Sequence, residues 1–350
     1  MFDPDRLPLS SSLPQDLDKH AGRPGSRKLG AILCVALFGF LPSCGRATSE
    51  SIEAPVLGTS VTLAGIEIRS AEGVPFPLSA QTADGHLFRL EQPATRALAG
   101  NAAVLDLFAG VGAVDSVFAS ALRAPEHSIA AAQGTSFDHV QLVTKFDTEN
   151  VIGLAPDLAL VHGWQPIEQK VQWRRTGLAL IELPDVTSFE DTVEALDLVA
   201  RLTGRTETFA EARQELLERA ATLRERSSGA GHSALSYTNS GTGGWVAGRG
   251  TTAHAVFDLV GLENAGTKWK GHSQVEIEDL LQLDPDWLVL SPAPGEDESR
   301  TYAFLKNEPR MQSLRALKEE RFLRVDGTLW ASNSHHILDA AAVLDEQLGG

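Results

Sequence analysis

The stretch Glu149–Val161, ENVIGLAPDLALV, has a counterpart further along the chain in Glu278–Leu290, EDLLQLDPDWLVL. Glu149, Ile152, Leu154, Pro156 and Asp157 correspond to Glu278, Leu281, Leu283, Pro285 and Asp286, every pair at the offset that separates 149 from 278. In both copies a helical pattern is stopped by proline and runs straight into an apolar, strand-like segment. A helix–turn–strand made twice, each with a Glu at its head, predicts two equivalent lobes.

The sequence around the repeat agrees. Short apolar runs alternate with helical patterns, the signature of βαβ units and parallel sheet. AAVLDLFAGVG reads as a helix ending at glycine, VDSVFAS as a strand, and LALIEL as another strand. Two helices follow. SFEDTVEALDLVARLTG opens on Ser188 and Asp191, and TFAEARQELLERAATLRERSSG on Thr208 and Glu211, both capping-box spacings. The second is long and amphipathic, with Phe209, Leu216, Leu217, Ala220 and Leu223 on one face. Alternation then resumes through ALSYTN, TAHAVFDLVGL, VEIEDLLQLDP, DWLVLS and FLRVDG to a final helix in HHILDAAAVLDEQL. The expected architecture is α/β: two pseudo-symmetric α/β lobes, 61–205 and 230–350, joined by a single long helix over 206–229, with a ligand cleft between them.

Of 350 residues 43% are hydrophobic and 22% charged, the balance of a globular chain with a core. The net charge of −16 and the lack of a basic patch argue against nucleic acid as a partner. Arg27 and Lys28 precede an apolar run from Leu29 to Leu41 that ends in Leu41-Pro42-Ser43-Cys44. That run suits an export signal over 1–43 and is short for a membrane span. Cys44 resembles the lipidated cysteine of a bacterial lipoprotein, with a polar tether over 44–60; cleavage after Gly45-Arg46-Ala47 is the alternative. The first 26 residues are polar for a signal, which a start codon placed too far upstream would explain. The chain's two cysteines are Cys34 and Cys44, so a mature exported product has no internal disulfide.

Taken in order, DGHLFRL, FDTENVIGLAPDLALV, GWVAGRGTTAHAVFDLVGLENAG, VEIEDLLQLDPDWLVL and FLRVDGTLWASNSHHILDAAAVLDEQL resemble the helix-linked class of substrate-binding proteins of ABC importers, which capture ferric siderophores, haem or cobalamin. The resemblance implies a monomeric, extracytoplasmic, lipid-anchored carrier of a small-molecule metal chelate, with no cofactor, no metal site and no catalysis of its own. It also implies that Glu149 and Glu278 dock on Arg residues of an ABC permease dimer and its ATPase. The bland alternative is that each Glu merely stabilises its own helix through the macrodipole.

Open α/β lobes bind ligands at the C-terminal ends of their strands. The loops after DLALV, ALSYT and FLRV place Trp164, Trp245 and Trp330 as candidates for a cleft lining, with Arg249 for a ligand carboxylate and His272 for stacking, hydrogen bonding or ligation. Haem-binding relatives supply a Tyr shortly before the first-lobe Glu, and QLVTKF has none. GTGGWVAGRGTT lacks the Lys-Ser/Thr ending of a phosphate loop. Ser334, His335 and Asp339 offer a hydrolase arithmetic without a G-x-S-x-G elbow, and neighbouring His335 and His336 on a helix would point apart. An exported enzyme and a sensor module are the two other readings.

Overall fold

The computed structural model describes residues 58–163, 165–239, 243–292 and 299–349. The signal segment, Cys44, most of the tether and Trp164 lie outside the described residues. The first described strand starts at Gly58, ahead of the expected Val61. β1 (Gly58–Leu63), β2 (Ile66–Ala71), β3 (Leu78–Gln81) and β4 (Leu87–Leu90) form an antiparallel meander in that order. Of these, only β4 has a sequence signal of its own, in DGHLFRL, where Asp84-Gly85 marks a turn ahead of a short strand. Alternation puts Ile66, Ile68, Leu78, Ala80, Phe88 and Leu90 on one face, all buried in the main core.

Lobe 1 runs through β5 (Ala97–Ala99), α1 (Ala102–Gly110), β6 (Val117–Ala121), α2 (Ile129–Ala132), β7 (Gln141–Val143), α3 (Thr148–Gly153), β8 (Leu158–His162), α4 (Ile167–Arg175) and β9 (Ala179–Leu183). Its sheet has the order β7-β6-β5-β8-β9, all parallel. Every residue of β8 is buried, as expected of a central strand covered on both faces.

Between β9 and the second sheet the chain makes two helices, α5 (Phe189–Leu202) and α6 (Thr206–Arg226). The Ser188–Asp191 capping box is present on α5. The one expected at Thr208 is not used: α6 begins two residues earlier, at Thr206, without a side-chain cap. Phe209, Leu216, Ala220 and Leu223 form its buried stripe. Arg205, just ahead of α6, pairs with Asp115 of lobe 1, and Arg226 at its end pairs with Asp345 of lobe 2.

Lobe 2 comprises β10 (Ser233–Asn239), β11 (Gly244–Ala247), α7 (Thr252–Leu259), β12 (Glu263–Asn264), β13 (His272–Val275), α8 (Ile277–Leu283), β14 (Trp287–Leu290), α9 (Arg300–Asn307), α10 (Arg315–Lys318), β15 (Phe322–Arg324), α11 (Gly327–Trp330) and α12 (Ile337–Gly349). β10, β14 and β15 are parallel neighbours, as β5, β8 and β9 are in lobe 1, while β11 and β13 extend the sheet antiparallel.

The repeat now has a mechanical reading. Asp157 accepts the backbone N–H groups of Thr95 and Arg96 at 2.8 and 3.0 Å, and Asp286 accepts that of Ser233 at 2.9 Å. Each carboxylate therefore fixes the start of the parallel strand beside its own. The residue before each proline, Ala155 or Asp284, is left-handed, with φ of 47° and 38°. Such backbone is unfavourable away from glycine. An arginine holds the freed carbonyls in both lobes: Arg96 takes the Leu154 oxygen and Arg315 the Asp284 oxygen.

Candidate functional site

At the C-terminal ends of β5 and β6, facing the segment after β15, lies a cavity of about 500 Å³ with walls from both lobes. Small residues make the space. Gly100, Ala102, Ala103, Ala121 and Ala124 stand on one side, Gly327 and Ala331 on the other. Gly100 cannot be enlarged freely, since a Cβ there would stand 3.0 Å from the Leu160 carbonyl oxygen.

The polar groups are few and held. Asn101 caps α1, its Oδ1 accepting the Val104 N–H at 3.0 Å, while its amide nitrogen meets His162 Nδ1 at 2.9 Å. His162 is buried, and that burial pushes its pKa down. Asp106 is 2% exposed and caps α2, accepting Ser128 O–H at 2.6 Å and Ala130 N–H at 3.0 Å. Burial raises its pKa against those hydrogen bonds. Arg123 pairs with Glu126 at 3.0 Å near the surface, and His127 lies one residue on. Opposite them stand Thr328, Ser332 and Asn333. Asn333 Oδ1 accepts the Val186 N–H at 2.7 Å and so stitches lobe 2 to the segment ahead of α5.

The residues singled out from sequence fall into three groups. Trp245 and His272 come together. Trp245 on β11 faces Gln274 on β13, and His272 is two residues from Gln274, so both point to one side of the sheet. That side is open: Trp245 is 43% exposed and His272 is exposed. Trp330 and Arg249 do not join them. Trp330 is a core residue, its indole N–H donating to Ser236 Oγ at 3.1 Å and its ring 5.7 Å from Phe257. Its neighbours on α11 line the cavity in its place. Arg249 is committed to a turn, its guanidinium donating to the Thr267 carbonyl at 2.8 Å. Glu149 and Glu278 are exposed in the first turns of α3 and α8. Glu278 lies 3.4 Å from Arg310.

The hydrolase reading fails on geometry. Asp339 pairs with His336, not His335, and His336 Nε2 is buried without a partner, while Ser334 Oγ is held by Ser332 Oγ at 2.8 Å. His335 and His336 precede α12 and stack ring on ring at 4.2 Å, so the expectation that they diverge along a helix is corrected. A second cavity, about 580 Å³, separates the meander from lobe 1. Most of its charges are occupied structurally: Asp84 by Arg174, Glu182 by Lys170, Asp191 by the α5 cap and Glu194 by the Ala64 N–H, while Asp185 also lines it. Asn101 was missed in advance because β5 is only three residues long and hides beside the pattern of α1; Arg123, His127, Thr328, Ser332 and Asn333 were not singled out within the segments that follow β6 and β15.

Two lobes with a cavity at the strand ends between them are the architecture of a carrier. Residues 98–329 match the family model described as periplasmic binding protein. The chain belongs to that family. This periplasmic binding protein is thus a solute-binding protein that acts outside the cytoplasm. Solved structures agree on the fold. An Fe3+-hydroxamate transport protein from Saccharomonospora viridis is 23% identical, with TM-score 0.65 over 79% of this chain and 100% of that one. The haem-binding protein HutB of Vibrio cholerae is 16% identical, with TM-score 0.62 over 73% and 100%. The vitamin B12-binding protein BtuF of Vibrio cholerae is 16% identical, with TM-score 0.59 over 73% and 97%. A search of curated proteins finds no match. Among the described residues no helix is long and apolar enough to cross a membrane, and no group of three or more His, Cys, Asp or Glu is placed to hold a metal.

Proposed function

We propose that this periplasmic binding protein captures a metal chelate, a ferric siderophore or a corrinoid ahead of haem, and delivers it to an ABC importer without chemistry of its own. The observation that carries the reading is the cavity between the lobes, apolar over most of its wall with a few fixed amides and hydroxyls at its edge. That lining suits a bulky, partly apolar ligand whose polar groups set its orientation. In this reading Trp245 and His272, on the open face of β11 and β13, offer an aromatic and an imidazole surface to the same ligand.

Glu149 and Glu278 are the docking carboxylates in this reading, each meeting an arginine socket on one half of a two-fold permease, and Cys44 is the lipid anchor. The reading is supported by their matching first-turn positions and by their exposure. Titration of the mature protein with a ferric hydroxamate, a ferric catecholate, cobalamin and haemin, followed by calorimetry and Trp fluorescence, tests it. Saturable binding of one of them at micromolar or better affinity is expected. No heat and no quenching with any of the four would remove the chelate.

A further inference from the structure

Two histidines at the meeting of the lobes have no part in the cleft. His336 is 4% exposed. Its Nδ1 lies 2.6 Å from Asp339 Oδ2, and the other Asp339 oxygen accepts from Arg219 of α6 at 2.5 Å. Its Nε2 is buried without a partner. His335 stacks on it at 4.2 Å. Some of the His335 surface reaches solvent, but its Nδ1 is sealed off and also unpartnered. The ring lies against lobe 1, where a Cβ on Gly110 of α1 would stand 2.8 Å from its Cε1 and 3.0 Å from Leu196 of α5. Gly110 therefore makes the seat for the ring. Asp106, also on α1, is the further charge that acts on His336.

We propose that this seam is an acid-sensitive latch between the lobes, closed while His335 is neutral and opened when its ring takes a proton. A proton on His335 would find no acceptor at the sealed Nδ1. It would place a cation against His336 and near Arg219, and the one carboxylate in reach, Asp339, is already shared by those two groups. Once the ring reaches water these costs vanish. Burial accordingly pushes the His335 pKa down from 6.5 to about 3. For a group depressed in the closed state, the closed form is fully favoured above pH 6.5 and loses ground as pH falls below it. Opening between pH 7.5 and 5 is thus expected to rise on the order of tenfold. Ser332 and Asn333, a few residues before the seam, line the cavity, and Asp106 lines it from lobe 1. Opening widens the cleft, so acid favours release of whatever solute it carries, and the inference stands apart from the identity of that solute.

Hydrogen exchange of the full chain at pH 7.5 and 5, corrected for intrinsic rates, tests the latch. Residues 103–111 and 331–340 should exchange about tenfold faster at pH 5, with β8 unchanged. In His335→Gln the difference should fall below twofold. Gly110→Ala, which crowds the ring from its seat, should show the fast exchange already at pH 7.5. Equal corrected rates in the wild type at both pH values would overturn the latch even if neither variant folds. So would acceleration of β8 to the same degree, or a pH response retained in His335→Gln.

Discussion

Asp157 and Asp286 do the same work in the two lobes. Each stands one residue ahead of a parallel strand and accepts a backbone N–H at the start of the strand beside it. The repeat is thus a device for setting strand register, and the Glu at its head takes no part in it.

Asp286→Ala should therefore act on stability alone. It removes the acceptor for the Ser233 N–H and hydroxyl, both at 2.9 Å, and leaves Arg315 with Asp284. Loss of such charge-assisted bonds costs about 1–3 kcal/mol. The Tm should fall while chelate affinity holds. The Ser233 hydrogen bonds, helped by Arg315, keep the Asp286 carboxyl below its ordinary 3.8. Its contribution is therefore complete above that value and is lost as pH falls through the lower, folded-state pKa. Melting curves from pH 7 to 3 should show the wild type and the variant converging at the acid end.

Glu149→Ala with Glu278→Ala should abolish stimulation of the importer's ATPase and leave Tm and chelate affinity as they were. The two carboxylates should differ singly. Glu278 is already met by Arg310, which also holds Glu308, so Glu149 should carry more of the docking. Arg310→Ala should then strengthen stimulation. A lower Tm with stimulation intact would mean that the pair serves only its own helices.

Ala331→Phe places a ring in the cavity from an exposed position on the lobe 2 side. Chelate affinity should drop at least tenfold, about 1.4 kcal/mol, with the melting temperature unchanged. Affinity equal to wild type by calorimetry would put the ligand elsewhere.

Cys44→Ser should release the full-length protein from bacterial membranes into the soluble extracytoplasmic fraction. Membrane retention equal to wild type would place the anchor at another residue.

The sequence announced the lobes because their strongest signal is periodic and doubled. Pro156 and Pro285 stop helices, Asp157 and Asp286 follow, and the apolar runs of β8 and β14 are long enough to be read. The cavity was less legible. Its floor hangs on β5, whose three residues are buried from all sides and carry no alternation. Trp330 misled because a residue after a strand end was taken to face the opening. In α11 the first turn brings it inward onto Phe257, and the flat, small neighbours Gly327, Thr328 and Ala331 face the space. His335 and His336 misled in the same way: the final helix starts one residue after them, so helical geometry did not apply.

The meander has a meaning beyond the core it covers. Lobe 1's sheet ends on one side at β7, which is only three residues long, and on the other at β9, where the meander lies alongside and His86 meets the Leu178 carbonyl at 3.3 Å. An open strand edge is where one folded copy zips onto the next. With one margin of this sheet too brief and the other fenced, lobe 1 offers little edge along which a second copy could add a strand.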